Sequence, residues 1–196
     1  MEFRYFALSE LMTGWRQYDR SRIEDTLKET GRRGNQLVMR VYLEYLGKGL
    51  SLPQFLVDEG VNVVDWMSPD GRCFTPDYNN KTLQKAMREF IAAFGKKYDD
   101  DPRVAFITAG MLGMWGEWHS HPREDLYPSK ATQQIVMDAF AGAFKKTHIL
   151  LRYPAGKKTL CTPPTTISPS DTMTTRSHGR RLILEKTKMP GITWPP

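Results

Sequence analysis

Four short apolar runs, each separated from the next by a helix-like stretch, constrain the fold of this chain most. The runs are Tyr5–Leu8, Gln36–Tyr42, Val104–Ala109 and His148–Arg152. They are rich in Val, Ile, Leu and Phe, as strands covered on both faces are. Between them, Arg22–Arg33 carries Ile23 and Leu27 on one side and stops near Gly31 and Gly34. Lys81–Lys97 places Leu83, Met87, Ile91 and Phe94 at helical spacing, with Gly95 as its expected stop. Ala131–Lys146 repeats the pattern with Ile135, Ala139, Phe140, Ala143 and Phe144. Alternating strand and helix implies parallel βα units, here about four. The expected class is therefore α/β, a partial (β/α)8 barrel over residues 1–156. A complete barrel needs eight strands and roughly 250 residues. A small open α/β sheet is the competing reading.

Residues 45–78 interrupt this rhythm. They hold Pro53-Gln54-Phe55-Leu56-Val57, expected as a short helix, and a long loop rich in Pro, Asp and Gly. Loops that long in a compact domain are usually functional or flexible. Lys96-Lys97 and Asp99-Asp100-Asp101 read as a solvated helix end and turn.

Composition narrows the function classes. A length of 196 residues with 40% hydrophobic content allows one domain with a real core. No apolar run reaches the roughly 18 residues of a membrane span. No basic-then-apolar leader is visible at the N-terminus. Two cysteines, Cys73 and Cys161, define neither a disulfide framework nor a zinc site. The net charge of +6 resembles a nucleic-acid signal until it is located. Residues 157–196 hold seven Lys/Arg against two Asp/Glu, whereas residues 1–156 hold 21 against 20. No basic stripe with interleaved aromatics appears, so nucleic-acid binding is disfavoured.

Polar clusters fall at the C-terminal ends of the expected strands, where barrels place their chemistry. They are Ser9-Glu10, then Arg40, Tyr42 and Glu44, then Glu117-Trp118-His119, then Arg152-Tyr153. Arg40, Tyr42 and Glu44 alternate at period two, so on a strand they share a face. Each arginine suits a carboxylate or sugar hydroxyls, or a structural ion pair such as Arg40–Glu44. The richest cluster follows the third strand, in Gly110-Met111-Leu112-Gly113-Met114-Trp115-Gly116-Glu117-Trp118-His119. Flat indoles beside a carboxylate suit a sugar ring. Glycosidases need two carboxylates, and burial between Trp115 and Trp118 raises a carboxylate pKa towards that of a useful acid. Glu117 is the first catalytic candidate, with Glu44 and Glu10 as candidates for the second carboxylate. Alternatively, Glu117 braces the mouth and the tryptophans fill the core. Tyr42, Trp115, Trp118, His119, Arg40, Arg152 and Tyr153 are the candidate substrate contacts. Glu117, His119 and His121 at i, i+2, i+4 permit a metal site only on an extended strand. Pro122 ends that run, and neither a metal nor a cofactor is expected.

These segments, together with Ser9-Glu10-Leu11-Met12-Thr13-Gly14, Pro76-Asp77-Tyr78-Asn79 and Tyr98-Asp99-Asp100-Asp101-Pro102-Arg103, resemble a glycosidase-like barrel family labelled domain of unknown function 4832. The resemblance covers residues 1–155. It implies a (β/α)8 barrel acting on carbohydrate, outside the cell, with Glu117 as the motif carboxylate and Arg40 and Arg152 at the mouth. A non-catalytic carbohydrate-binding protein is the alternative.

From Gly156 the pattern is lost. Residues 157–196 hold six Pro, nine Thr and one aromatic, Trp194, and read as a disordered tail. Family members continue with further strands and a His-Asp-Asp-Ser-Phe-like segment. Reading the third base of each codon with the first two of the next, Ser170 through Pro196 can yield that segment. Met173-Thr174 then must give Asp, and Met189-Pro190 and Trp194-Pro195 must give Ala. A reading frame slipped near Gly156–Thr159 is therefore expected, and with it an inactive fragment.

Overall fold

The computed structural model describes residues 1–152. The expected tail, Tyr153 and Cys161 lie outside the described residues. Eight strands and five helices follow one another. They are β1 (Glu2–Ala7), α1 (Leu8–Leu11), β2 (Met12–Gly14), β3 (Gln17–Tyr18), α2 (Ser21–Arg32), β4 (Leu37–Tyr42), α3 (Gln54–Asp58), β5 (Val63–Ser68), β6 (Gly71–Pro76), α4 (Lys81–Tyr98), β7 (Val104–Thr108), α5 (Lys130–Ala143) and β8 (Ile149–Leu150). The main sheet has four strands in the order β1-β4-β7-β8, and every neighbouring pair is parallel. Spatial order follows chain order, as in successive units of a barrel. Among the described residues, β1 and β8 each pair on one side only.

The outward sheet face carries Leu37, Met39, Val41 and Ile107. They join Ile23 and Leu27 of α2, Met87 and Ile91 of α4 and Val136 of α5 in one buried core. The two long helices α4 and α5 start where the sequence supplies a side-chain cap. Asn80 Oδ1 accepts from the backbone N–H groups of Thr82 and Leu83 at 2.9 and 3.3 Å, and Ser129 Oγ accepts from that of Thr132. Both satisfy donors that a helix start leaves unpaired.

Four local expectations change. Leu8, expected as the end of the first strand, begins α1. Gly95 does not stop its helix. It lies inside α4, and a Cβ there would stand 2.4 Å from the carbonyl oxygen of Ala143, so it is the point where α4 and α5 approach. The long loop contains an antiparallel hairpin, β5–β6, with Ser68 opposite Gly71. Pro69-Asp70 form the two-residue turn, with Gly71 in the fourth turn position where Gly is favoured, and Asp65 and Arg72 form an ion pair across the strands. Asp99 is not a solvated turn residue. Its carboxylate accepts from the backbone N–H groups of Lys145, Lys146 and Thr147, each at 2.8 Å, and so ties the end of α4 to the approach to β8.

No helix among the described residues is long and apolar enough to cross a membrane.

Candidate functional site

Register places three polar residues of the inward sheet face side by side. Tyr5 on β1 pairs with Arg40 on β4, and Arg40 pairs with Thr108 on β7. Arg40 is only 6% exposed. Its Nε donates to Thr108 Oγ1 at 3.1 Å, and its Nη1 donates to Tyr5 OH at 3.0 Å. The guanidinium also lies over the rings of Phe3 and Tyr5, 5.1 and 5.2 Å from their centroids.

The loop after β7 hangs Glu117 over this row. Its path is unusual, because Met111, Gly113, Trp115, Gly116 and Trp118 all have positive φ. Three of them are not glycine, and such residues cost about 1–3 kcal/mol each and cluster at functional sites. The surrounding structure holds them. Met111 N–H donates to Val41 O at 2.8 Å, Met114 N–H to His119 O at 2.7 Å and Trp115 N–H to Glu44 O at 3.1 Å. Gly113 is required twice over, because φ is +71° and a Cβ would fall 2.3 Å from His119 O.

Glu117 is 8% exposed. One carboxylate oxygen, Oε1, accepts from Arg40 Nη1 at 2.6 Å and from Tyr5 OH at 3.0 Å. The other, Oε2, accepts from Arg152 Nη1, and His119 Nε2 stands 3.9 Å away. Burial pushes the Glu117 pKa upward. The His119 imidazole, the guanidiniums of Arg40 and Arg152 and the Tyr5 hydroxyl outweigh it and hold the pKa at about 2. This overturns the expectation of a raised pKa from desolvation between two indoles. Glu117 is an ionised carboxylate, not an acid.

Glu44 has the opposite environment. It is 1% exposed, and its carboxylate accepts from Thr75 Oγ1 on β6 and from Tyr78 OH, the latter at 3.1 Å. Burial dominates, and despite these two bonds it raises the pKa to about 7. Tyr78 OH in turn accepts from the backbone N–H of Gly113 at 3.0 Å. Glu44 therefore braces the underside of the Glu117 loop against the β5–β6 hairpin. The Arg40–Glu44 pair does not form, because Glu44 lies past the end of β4 and turns towards the hairpin. Glu10 sits on α1 in an ion pair with Arg22 and has no bond to Glu117.

The aromatic candidates separate. Trp118 is 1% exposed, and its Nε1–H donates to the carbonyls of Ala109 and Gly110 at 2.6 and 3.1 Å. It is a core pillar of the loop. Tyr42, 4% exposed, has likewise no open face for a substrate. Trp115 and His119 remain half-buried. A chain of ring contacts runs from Tyr5 to Tyr45 (6.3 Å), Tyr45 to Trp115 (6.1 Å) and Trp115 to His119 (5.8 Å). Tyr5 and Tyr45 were not among the sequence candidates. Period-two alternation with Phe3 marks Tyr5 as inward-facing, but its bond to Glu117 joins residues 112 positions apart. His121 is exposed. Among the described residues, no group of three or more His, Cys, Asp or Glu is placed to hold a metal ion.

No protein-family profile matches the chain, and no curated protein matches its sequence. Among solved structures it is similar to a GH5_18 from Bifidobacterium longum subsp. infantis, with a TM-score of 0.52 and 15% identity. The match covers 77% of this chain and 33% of that one, so the chain spans about a third of the length of the protein it matches. That neighbour is a glycoside hydrolase of family 5. The likeness shows the fold: the described residues form part of a (β/α) barrel.

Proposed function

We propose that this chain is a member of the glycosidase-like family it resembles, domain of unknown function 4832, and that the mouth around Glu117 binds carbohydrate. The observation that carries this reading is the Glu117 carboxylate. It is buried at the end of parallel strands, gripped by Tyr5, Arg40 and Arg152, and carried on a loop with five positive φ angles. Trp115 and Tyr45 supply apolar faces beside a fixed set of polar groups, the usual make-up of a small-molecule site.

Glycoside hydrolysis needs an acid as well as a carboxylate. Glu117 serves as the carboxylate, a nucleophile or base in a complete barrel. Glu44 has the pKa of an acid, but it is sealed from solvent and engaged with Thr75 and Tyr78. Binding without turnover is therefore the reading for this chain. The test is a titration of the 196-residue protein with oligosaccharides, followed by tryptophan fluorescence, beside an assay on aryl glycosides. Quenching without product supports the reading, and its loss in Glu117→Gln locates the site. Product formation overturns the non-catalytic reading, and the absence of any sugar response overturns carbohydrate binding.

We also propose that residues 157–196 are read from a slipped frame. Sequencing genomic DNA and transcript across the codons for Arg152–Thr165 tests this. An inserted or deleted base or an intron supports it, and an intact frame overturns it.

A further inference from the structure

We propose that Glu44 is a proton-operated latch: in its neutral form it locks the loop that carries Trp115 and Glu117 against the β5–β6 hairpin, and loss of the proton loosens that loop. Glu44 holds the two together from both of its ends. Its side chain accepts from Thr75 Oγ1 on β6 and from Tyr78 OH, two residues past that strand. Tyr78 OH accepts in turn from the Gly113 N–H at 3.0 Å. The backbone carbonyl of Glu44 accepts from the Trp115 N–H at 3.1 Å. Beside these bonds, Cys73 Sγ of β6 meets Met114 Sδ at 3.9 Å. The loop does not keep this path unaided. Met111, Trp115 and Trp118 have positive φ without being glycine, a conformation that persists only while its surroundings enforce it.

The two forms of the Glu44 carboxyl make opposite demands. Both hydroxyls donate to it, which suits a carboxylate. It is 1% exposed, and among the described residues no cation acts on it, which suits the acid. Two other titratable groups face the same space, Cys73 on β6 and Tyr78. Burial, and after it the Glu44 charge, pushes the Cys73 thiol up to about 11 and the Tyr78 phenol well above its ordinary range. Neither gains a charge near neutrality. Met114 and Trp115, on the loop side, bring none. Burial holds the Glu44 pKa at about 7, whereas the group opened to water returns to its ordinary 4.5. The closed value is the higher one. The latch is therefore at full strength below about pH 4.5 and weakens as pH rises to about 7.

The experiment follows hydrogen exchange of the peptides spanning residues 110–119 in the full chain, read by mass spectrometry at pH 5 and pH 7. Each reading is referenced to Glu44→Gln at the same pH, which cancels the intrinsic pH dependence of amide exchange. Between the two pH values the wild-type loop loses about thirtyfold more protection than the variant, the size that linkage gives for this shift. His119 lies on the same loop, and imidazoles titrate in this range. A dependence that belongs to His119 survives in Glu44→Gln, so an equal change in both proteins overturns the proposal. Tyr78→Phe supplies a second arm that does not need the glutamine variant to fold. It removes the acceptor of the Gly113 N–H, so the loop is weakly protected already at pH 5. A full pH step in Tyr78→Phe places the dependence elsewhere and overturns the latch. No sugar is present, so failure here leaves the carbohydrate reading standing.

Discussion

Glu117 and Glu44 are both almost fully buried, yet one is held ionised and the other is pushed towards neutrality. The difference is the charge of their partners. Glu117 meets the His119 imidazole and the guanidiniums of Arg40 and Arg152, and its pKa falls to about 2. Glu44 meets only the hydroxyls of Thr75 and Tyr78, and burial takes its pKa to about 7. Burial alone does not mark a catalytic acid. The sign of the shift depends on whether cations accompany the carboxylate into the interior. Here the environment assigns charge to Glu117 and bracing to Glu44.

Removing Arg40 breaks the comparison most strongly. Arg40→Ala leaves the Glu117 charge buried beside Tyr5 with its buried guanidinium partner gone. A loss of about 3–5 kcal/mol is expected on urea unfolding, as for other broken buried pairs. If the variant loses under 1 kcal/mol, Glu117 is not held as described. Gly113→Ala acts on the joint between the two carboxylates, since the Gly113 N–H donates to Tyr78 OH, which donates to Glu44. The clash with His119 O and the positive φ together cost about 2–4 kcal/mol, with loss of the sugar-dependent fluorescence change.

The pH dependence separates the two groups by sign. Glu44 has a folded pKa above its unfolded value, so its contribution is fully present below about pH 4.5 and is lost as pH rises to about 7. Glu117 behaves oppositely. Its contribution is present above about pH 4.5 and is lost as pH falls towards 2. Glu44→Gln keeps a donor and an acceptor for Thr75 and Tyr78. It should flatten stability between pH 4.5 and 7 and raise it at pH 8 by about 2–3 kcal/mol. An unchanged slope in that window would show that Glu44 is already ionised. The smallest effect is expected from Tyr5→Phe, which deletes one bond to Glu117 and costs about 1–2 kcal/mol in chemical unfolding, the scale of a bond to a charged group.

How far the sequence disclosed this arrangement depended on the range of the interactions. The apolar runs at Leu37–Tyr42 and Val104–Thr108 and the amphipathic helices α2, α4 and α5 are local patterns, and their positions agree with expectation to within a few residues. The β5–β6 hairpin turn is Pro69-Asp70 followed by Gly71, but the Pro- and Asp-rich surroundings favoured a loop. Gly95 read as a helix stop because its reason for being small, Ala143 on α5, lies 48 positions away. Glu117 was legible as a motif carboxylate. Its ionisation was not, because, besides the neighbouring His119, the partners that decide it come from residues 5, 40 and 152. Trp118 shows the same limit from the other side, since an indole that props its own loop cannot be told by type from one that faces a ligand.

The grip on Glu117 also bears on how the chain assembles. Its partners stand on β1, on β4 and just past β8, so the site closes only after three parallel pairings have formed in the correct register. Such distant contacts form slowly, because the chain between them must first be ordered. A slip of one residue in β1 turns Tyr5 to the opposite face and leaves Glu117 one donor short. The polar cluster thus acts as a register check on an otherwise apolar sheet. A nascent chain ending before Arg152 has the motif but not the complete grip.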